Sequence, residues 1–240
     1  MEALILAAGL GTRLRPLTDH TPKALIDVGG VPILERVARR LIDAGADRLI
    51  VNTHYLGAQI ACYLAERGGF GVEWEVSQEP GDAPAETGGA LVHAEPLFRK
   101  DAPFFLHNAD VLTEIPLREM YDAHVASGAL ATLAVMDRET SRHLLFDDRG
   151  LLGRTDAKKD LDLRVRDAVG EVRKLAFGGV HVISPRIFER LTERGAFSIL
   201  DPYLRLAGEG EAVRPFRVDA YTWIDIGSPA QLEEARRRVS

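Results

Sequence analysis

The sequence predicts an α/β fold in which a mostly parallel sheet carries helices on both faces. Three observations lead to this prediction. Short continuous apolar runs that end in glycine or polar residues are typical of strands buried on both faces. Segments with helical spacing of apolar residues alternate with these runs through the first half of the chain. The length of 240 residues is enough to bury a sizeable core.

The first half alternates strand and helix from its beginning. Residues 3–8 form an apolar run that ends at Gly9, which predicts a buried strand. Helical spacing of apolar residues follows, and Gly45 ends that helix. A loop rich in proline, glycine and aspartate is predicted at 79–85. The same patterns predict strands at 48–52, 72–76, 103–107 and 129–136, and helices at 33–42, 57–67, 87–98 and 116–127.

The second half of the chain is less regular. Apolar runs and alternating patterns predict strands at 143–149, 172–184, 213–218 and 221–226. Short helices are predicted at 185–193 and 198–207, and a final helix at 229–239. Residues 153–171 are charged and lack periodic apolar positions, so we expect a mobile loop there.

Composition excludes several classes of protein. Hydrophobic residues make up 46% and charged residues 28% of the chain, as in soluble globular proteins. The net charge of −6 disfavours a basic nucleic-acid-binding protein. No apolar run reaches the roughly 18 residues of a membrane-spanning helix. The single cysteine, Cys62, fits a reducing cytoplasm, and we expect its thiol to be buried on the second helix.

The most informative motif lies between the first strand and the first helix. Gly9 and Gly11 stand one residue apart, and Arg13 and Lys23 follow. Glycine lets backbone N–H groups approach a phosphate, arginine can bind two phosphate oxygens, and lysine supplies a point charge. The motif lacks the third glycine of a dinucleotide fingerprint and the Gly-Lys-Ser/Thr of a P-loop. It indicates another kind of polyphosphate site; a tight turn with solvated arginines is the alternative.

Two aspartates stand at the carboxyl ends of predicted strands. Asp110 closes Asn108-Ala109-Asp110, and Asp225 lies near the end of the strand at 221–226. Ligands of α/β sheets bind beyond the carboxyl ends of the strands, so both carboxylates can point into one cleft. A pair of carboxylates suits a Mg²⁺ ion that also takes phosphate oxygens. The alternative is that each aspartate is a turn residue bonded to local backbone groups.

The glycine motif resembles the amino-terminal signature of the sugar-1-phosphate nucleotidyltransferases, the NDP-sugar pyrophosphorylases. This signature is Gly-x-Gly-Thr-Arg-Leu-Arg-Pro-Leu-Thr followed by Pro-Lys, and it stands at 9–18 and 22–23. Shorter similarities occur at 29–33, 86–89, 110 and 223–227, whereas 137–175 matches poorly. The resemblance implies the Rossmann-like nucleotide-diphospho-sugar transferase fold. It also implies a Mg²⁺-dependent reaction in which a sugar 1-phosphate attacks an NTP and pyrophosphate leaves.

The resemblance also implies a role for each motif residue. Arg13, Lys23 and Asp110 are the expected catalytic residues, and Asp110 and Asp225 the expected Mg²⁺ ligands. The sugar phosphate is expected to contact Asp156, Lys158, Gly179 and Asp225; solvated loop residues are the alternative for Asp156 and Lys158. The nucleotide is expected to contact a larger set: Leu6, Ala8, Gly9, Gly11, Thr12, Arg13, Lys23, Gln78, Glu86, Thr87, Gly88 and Asn108.

The helix start Glu86-Thr87-Gly88-Gly89 bears on the substrates. It is most similar to the short bacterial uridylyltransferases that act on N-acetylmuramate 1-phosphate, so UTP and this sugar phosphate are the expected pair. An ordinary helix start, with Thr87 as cap, is the alternative. Other activities stay open: guanylyl or thymidylyl transfer to mannose, heptose or glucose 1-phosphate, CTP-phosphocholine cytidylyl transfer, metal-dependent glycosyl transfer, and regulation by a catalytically silent nucleotide-sugar-binding protein.

The motifs also predict the domain organisation. Gly9 and Asp225 must meet in one cleft, so we expect a single nucleotidyltransferase domain over 1–240. Its nucleotide-binding part is expected at about 1–136 and its sugar-phosphate part at about 137–228. No hexapeptide repeat follows Gly227, so the left-handed β-helix of many relatives is not expected. We expect a cytoplasmic monomer or small homo-oligomer that binds neither nucleic acid nor membrane.

Overall fold

The computed structural model describes residues 1–239. Its α-helices, in chain order, are α1 (Ile33–Asp43), α2 (Gly57–Glu66), α3 (Glu86–Ala94), α4 (Leu117–Ser127), α5 (Ile187–Arg190), α6 (Leu200–Gly208) and α7 (Pro229–Val239). Its strands are β1 (Glu2–Leu6), β2 (Arg48–Thr53), β3 (Glu73–Gln78), β4 (Phe104–Asn108), β5 (Val111–Thr113), β6 (Ala131–Met136), β7 (Arg142–Asp147), β8 (Gly150–Asp156), β9 (Leu161–Arg164), β10 (Arg173–Ile183), β11 (Val213–Arg217) and β12 (Trp223–Asp225).

The central sheet has the strand order β3-β2-β1-β4-β10-β6-β11. Four strands of the first half, β3, β2, β1 and β4, run parallel to one another. β10 runs antiparallel to both β4 and β6, and β11 runs parallel to β6. The sheet is therefore mostly parallel with one reversed strand, which confirms the predicted fold class.

Helices cover both faces of this sheet. Successive side chains of a strand point to opposite faces. In β1, Ala3 and Ile5 accordingly pack in one buried cluster, with residues of α1, α2, α4 and α7. Leu4, between them, packs in a second cluster with residues of α3, α5 and α6. Each cluster is the core of one face, so the predicted arrangement of helices is confirmed.

The expectation of a mobile loop at 153–171 is wrong over the first part of this range. β8 runs to Asp156, β9 follows, and the two pair antiparallel through Gly153–Arg164 and Asp156–Leu161. The first residues of β10 leave the central sheet and pair with β7, which pairs with β8. β9 is an edge strand with mostly exposed side chains. Its stability comes from backbone hydrogen bonds to β8, which leave no apolar pattern in the sequence.

A small two-stranded sheet brings the two ends of the chain together. β5, which the sequence analysis did not predict, pairs antiparallel with β12, so that Asp225 lies opposite Val111. The backbone N–H of Ile226 donates to the carbonyl of Asp110 at 2.9 Å. This pairing carries both predicted metal-binding aspartates.

The expectation that Cys62 is buried is wrong. The residue is exposed on α2, and its thiol donates to Oε1 of Glu66 at 3.4 Å. Only Gly57, Ile60 and Leu64 of this helix are buried, so the turn that carries Cys62 faces away from the core. None of the helices in the described part of the chain is long and apolar enough to cross a membrane.

Candidate active site

A cavity of about 410 Å³ lies at the carboxyl ends of β1 and β4. This is the edge of the sheet at which the sequence analysis expected the ligand to bind. Many of the predicted site residues line this cavity: Leu6, Ala8, Gly9, Gly11, Thr12, Arg13, Lys23, Glu86, Thr87, Asn108 and Asp110. The cavity is thus lined by the segments 6–13, 23–24 and 108–110 and by Pro84, Glu86, Thr87 and Ala90.

The glycine motif folds back on itself beside the cavity. Gly11 has a left-handed φ of 64°, and Thr18 Oγ1 donates to its carbonyl oxygen at 2.8 Å. A methyl group on Gly11 would lie 2.8 Å from Thr18 Cγ2, so only glycine fits there. Gly9 is different, because a methyl group there would meet no atom within 4 Å. Gly11 therefore shapes the loop, whereas Gly9 leaves space open above β1.

Arg13 is an exposed cation at the mouth of the cavity. Its guanidinium makes no hydrogen bond or ion pair with residues 1–239, whereas Arg15 pairs with Asp19 at 3.2 Å. A methyl group on Gly227 would lie 2.6 Å from Arg13 Nη2 and 2.7 Å from Asp225 Oδ1. Because Gly227 has no side chain, the Arg13 guanidinium and the Asp225 carboxylate can both lie close to it. Of the two arginines in the motif, Arg13 is the one free to bind an anion.

Lys23 and Asp110 form an ion pair in the cavity wall. Lys23 Nζ donates to Asp110 Oδ2, and the Lys23 side chain is only 12% exposed. The lysine begins a single turn of 3₁₀ helix over Lys23–Leu25, and the aspartate follows the end of β4. A phosphate could replace Asp110 as the partner of the Lys23 ammonium group, and a metal ion could replace Lys23 as the partner of the Asp110 carboxylate.

The two predicted metal ligands fit a small, hard cation. Asp225 Oδ1 accepts the backbone N–H of Gly227 at 2.9 Å, which leaves its second oxygen without a protein partner in the described chain. Asp110 likewise uses only Oδ2. No group of three or more His, Cys, Asp or Glu side chains that could hold a metal ion occurs within residues 1–239. Two carboxylates completed by substrate phosphates and water are an arrangement that Mg²⁺ accepts.

The start of α3 divides its residues between the cavity and the protein interior. Glu86 and Thr87 line the cavity, but the N–H of Gly88 donates to the carbonyl of Phe197 at 2.9 Å. A methyl group on Gly88 would lie 2.2 Å from the Phe197 ring, and Thr87 Oγ1 accepts the N–H of Ile199 at 2.9 Å. The structure therefore places Gly88 against the segment 195–199, where its N–H is already bonded.

Next to the predicted Gln78, the structure identifies Glu79 and Asn52 as cavity residues that the sequence analysis missed. Gln78 bonds to Thr53 Oγ1 at 2.8 Å and to the carbonyl of His54 at 3.0 Å, and it does not line the cavity. Glu79 lines the cavity, although the residue is only 3% exposed. The signal that could have identified them is their position at the carboxyl ends of β2 and β3, strands that run parallel to β1 and β4.

Glu79 holds two elements of the wall together. Its Oε1 accepts Asn52 Nδ2 at 2.9 Å, and its Oε2 accepts the backbone N–H of Ala85 at 2.7 Å, next to the start of α3. Oδ1 of Asn52 is buried and has no partner in the described residues. Asn52 Oδ1 is therefore a buried hydrogen-bond acceptor that lacks a donor among the described residues.

The predicted sugar-phosphate residues fall into two groups. Gly179 has a φ of 74°, and a methyl group there would lie 2.6 Å from Asn108 Nδ2, so it packs against the cavity wall. Asp156 and Lys158 lie at the turn between β8 and β9, where the Lys158 N–H donates to Asp156 Oδ1 at 3.0 Å. Neither lines the cavity.

An arginine that the sequence analysis did not single out lies close to this side of the site. The guanidinium carbon of Arg138 is 4.5 Å from the centre of the Trp223 ring, and its Nε is buried without a partner in the described chain. Trp223 lies two residues before Asp225 in β12, and its Nε1 donates to the carbonyl of Gly178 at 2.7 Å. Nothing in the local sequence around Arg138 indicated this position.

The chain is similar in sequence to known proteins over nearly its whole length. Residues 2–146 match the family model described as Nucleotidyl transferase. The chain is 35% identical over 241 residues to the N-acetylmuramate alpha-1-phosphate uridylyltransferase of Neisseria meningitidis, covering 98% of this chain and 97% of that protein. It is 30% identical to the mannose-1-phosphate guanyltransferase of Candida albicans, covering 95% of this chain and 62% of that longer protein.

Solved structures share the fold at low sequence identity. A UDP-glucose pyrophosphorylase from Acinetobacter baumannii superposes with a TM-score of 0.80 at 21% identity, covering 99% of this chain and 92% of that one. HddC from Yersinia pseudotuberculosis, complexed with GMP-PN, superposes with a TM-score of 0.77 at 21% identity, covering 100% and 99%.

Proposed function

The chain belongs to the nucleotidyl transferase family, and we propose that it joins a nucleoside triphosphate to a sugar 1-phosphate and releases pyrophosphate. The proposed substrates are UTP and N-acetylmuramate 1-phosphate. One observation carries the reaction class: the glycine motif, Arg13, Lys23 and Asp110 line a single cavity at the carboxyl edge of the sheet. The choice of substrates is supported by the similarity to the N-acetylmuramate alpha-1-phosphate uridylyltransferase named above, which extends over nearly the whole of both chains.

The proposed reaction is a displacement at phosphorus. A phosphate oxygen of the sugar 1-phosphate forms a bond to the α-phosphorus of the triphosphate. The bond from that phosphorus to the oxygen bridging to the β-phosphate breaks, and pyrophosphate leaves with the electron pair. The attacking oxygen is already anionic near neutral pH, so no general base is needed. The protein must align two anions and offset their charge.

The cations of the cavity are suited to this task. Arg13, which has no partner within residues 1–239, would bind the β- and γ-phosphates through its planar guanidinium. Lys23 would contact the α-phosphate while staying close to Asp110. The open space above Gly9 would let backbone N–H groups approach the phosphates. These contacts hold the triphosphate with its α-phosphorus facing the incoming sugar phosphate.

The two aspartates would hold a divalent cation, for which Mg²⁺ is the proposed ion. Asp110 and Asp225 each retain a carboxylate oxygen without a protein partner in the described part of the chain. A bound divalent cation supplies charge neutralisation at the phosphate oxygens. His107, beside this segment, does not take part: it is 1% exposed, and burial lowers its pKa to about 4, so it stays neutral.

The remaining walls would select the base and the sugar. Glu86 and Thr87 face the cavity, with Glu79 and Asn52 beneath them, and would contact the nucleobase. Gly179 and Asp225 border the side where the sugar phosphate would bind. Because Asp225 lies near Arg13 through Gly227, both halves of the chain contribute to one site, which supports a single functional domain.

Pyrophosphate release tests this proposal directly. Purified protein with Mg²⁺ is assayed against UTP, GTP, dTTP and CTP, each with N-acetylmuramate, mannose and glucose 1-phosphates and with choline phosphate. The expected result is the highest kcat/KM for UTP with N-acetylmuramate 1-phosphate. A preference for GTP with mannose 1-phosphate would overturn the substrate assignment but keep the reaction class. No pyrophosphate from any pair would overturn the proposal and favour a nucleotide-sugar-binding role.

A further inference from the structure

We propose that two copies of the chain associate through the open edge of β9, so that their β9 strands pair antiparallel around a twofold axis. β9 pairs with β8 on one side, and no other strand within residues 1–239 pairs with it on the other. An unpaired strand edge offers backbone N–H and C=O groups to another chain. None of the residues of β9 lines the candidate active-site cavity, so this proposal does not depend on the proposed function.

The backbone of β9 determines which groups face the open edge. The N–H of Val165, which follows the strand, donates to the carbonyl of Leu152 at 2.9 Å. In an antiparallel ladder this direction repeats every second residue, so Leu163 also turns its backbone groups toward β8. The N–H and C=O groups of Asp162 and Arg164 therefore point toward the open edge. A second β9 strand can bond to these four groups.

The charges on this edge are complementary to themselves. A twofold axis at Leu163 places Asp162 opposite Arg164 of the second copy, and Arg164 opposite Asp162 of that copy. The two side chains are 57% and 51% exposed, and within one chain they lie 3.6 Å apart. Opposite charges that face each other across an antiparallel pair stabilise it. The proposed dimer contains two such cross-strand pairs.

The same charges exclude the neighbouring registers. A shift of the register by two residues sets either Asp162 opposite Asp162 or Arg164 opposite Arg164, and like charges in these positions destabilise a pair. A shift by one residue sets backbone groups that face the open edge opposite groups that face β8. The twofold axis at Leu163 is therefore the favoured arrangement.

Apolar side chains complete the proposed interface. Leu163, which is 37% exposed, would meet its own copy across the axis. Leu161 would lie opposite Val165 of the second copy, and Val165 packs against the second buried cluster of the core. Just beyond the strand, the same register brings Lys159 toward Asp167 of the second copy, and both residues are exposed. The charges thus stay complementary on both sides of the axis.

The other open edges of the larger sheet do not have this property. Within residues 1–239 the sheet also ends at β3 and at β11. The charged residues of β3 are Glu73 and Glu75, and those of β11 are Arg214 and Arg217, so each strand carries one sign of charge. Pro215 also removes one N–H from β11. Complementary charges therefore single out β9 for pairing with its own copy.

Sedimentation velocity at about 1 to 300 μM tests the association. β9 is four residues long, so the interface is small, and we expect a weak dimer with a Kd of about 10–100 μM. The expected result is a monomer at the lowest concentration and mainly dimer at the highest. A monomer over the whole range would mean that β9 is a solvated edge, and the proposal would be overturned.

A charge exchange identifies the strand that forms the dimer. Asp162→Arg and Arg164→Asp each set like charges opposite one another, so each variant alone is expected to dimerise at least about tenfold more weakly. An equimolar mixture of the two variants restores opposite charges at both positions, and its dimer is expected to approach wild-type affinity. A misfolded variant would not recover on mixing. Failure of the mixture to associate would overturn the proposal.

The matched control is Arg237→Asp. Arg237 is exposed on α7, and the substitution changes the net charge by the same amount as Arg164→Asp. It is expected to change the Kd of the dimer less than about twofold. Equal weakening by Arg237→Asp and Arg164→Asp would show a general effect of charge and would contradict pairing through β9.

Disulfide formation tests the position of the axis. In the proposed register the two copies of residue 163 form a pair without hydrogen bonds, in which the side chains come closest and lie within disulfide reach. Leu163→Cys is made together with Cys62→Ser, because Cys62 is the single cysteine of the chain. Mild oxidation is expected to give a covalent dimer at least about tenfold faster than for Val169→Cys, at an exposed position outside β9. Equal rates would overturn this register.

Discussion

Lys23 and Asp110 form an ion pair across the candidate active site although 87 positions separate them in the sequence. The contact joins the end of the glycine motif to the end of β4. It pairs the largely buried Lys23 ammonium group with a carboxylate and holds the side chain of Asp110, a proposed metal ligand, in position. The two residues are therefore expected to depend on each other in catalysis as well as in structure.

Asp110→Asn is expected to lower kcat/KM about 100-fold or more, because it removes a charge that would hold the divalent cation. Pyrophosphate release at saturating Mg²⁺ measures this. Asp122→Asn, on the exposed face of α4 where Asp122 pairs with Arg118, is the matched control and is expected to keep normal turnover. Near-normal turnover of Asp110→Asn would contradict the metal assignment.

Arg13→Ala is expected to raise KM for the triphosphate and lower kcat/KM about 100-fold, because the unpaired guanidinium would bind the leaving pyrophosphate. Arg15→Ala is the control within the same motif. Arg15 pairs with Asp19 at 3.2 Å and does not line the cavity, so kcat/KM is expected to change less than about threefold. Equal losses in both variants would show that the motif acts only through its total charge.

Gly9→Ala is expected to weaken triphosphate binding, whereas Gly11→Ala is expected to lower the stability of the fold. A methyl group on Gly9 meets no atom within 4 Å, so stability should be unchanged while KM for the triphosphate rises about tenfold. Gly11 has a φ of 64° and would clash with Thr18, so its alanine variant should lose about 1–3 kcal/mol of unfolding free energy. Urea denaturation and steady-state kinetics separate the two effects. Identical profiles would contradict this division of roles.

Three buried histidines should make stability depend on pH. Burial lowers the pKa of His107 and His124 to about 4 and that of His181 to about 3. In the unfolded chain these histidines bind protons below about pH 6.5, whereas in the folded protein they stay unprotonated until a much lower pH. The free energy of unfolding is therefore expected to fall as the pH is lowered from about 6.5 toward 4.

Urea denaturation at pH 6.5 and pH 5.0 measures this dependence. Each histidine contributes a slope that approaches about 1.4 kcal/mol per pH unit toward pH 5. His124→Gln, which can keep the contact to Thr132 Oγ1, is expected to reduce the total slope by about one third. An unchanged slope would mean that His124 is not the neutral buried group that its surroundings indicate.

Arg138→Gln is expected to raise KM for the sugar phosphate more than Lys158→Gln does. Arg138 lies on Trp223, near Gly178 and Asp225, whereas Lys158 lies in the exposed turn between β8 and β9. A donor with a buried, unpaired Nε is better placed to hold an anion than a solvated ammonium. The reverse order would favour the role that the resemblance implies for Lys158.

The amino-acid sequence by itself determined the fold class, the glycine motif and most elements of the first half. These features depend on local patterns: apolar runs, helical spacing and glycine positions. The sequence also predicted the edge of the sheet at which the cavity lies, because the carboxyl ends of parallel strands meet at one edge. Asp110 and Asp225 were predicted as metal ligands from the ends of their strands and from the resemblance, and this assignment stays a prediction.

Only the tertiary structure decided which residues face the cavity and which do not. β5 is stabilised by backbone pairing with the distant β12, and β9 by backbone pairing with the neighbouring β8; neither pairing has a side-chain signature. Gln78 and Gly88 stand beside cavity residues but bond to other segments, and Cys62 lies on the exposed side of α2. The approach of Arg138 to Trp223, 85 positions along the chain, depends on long-range packing that no local pattern records.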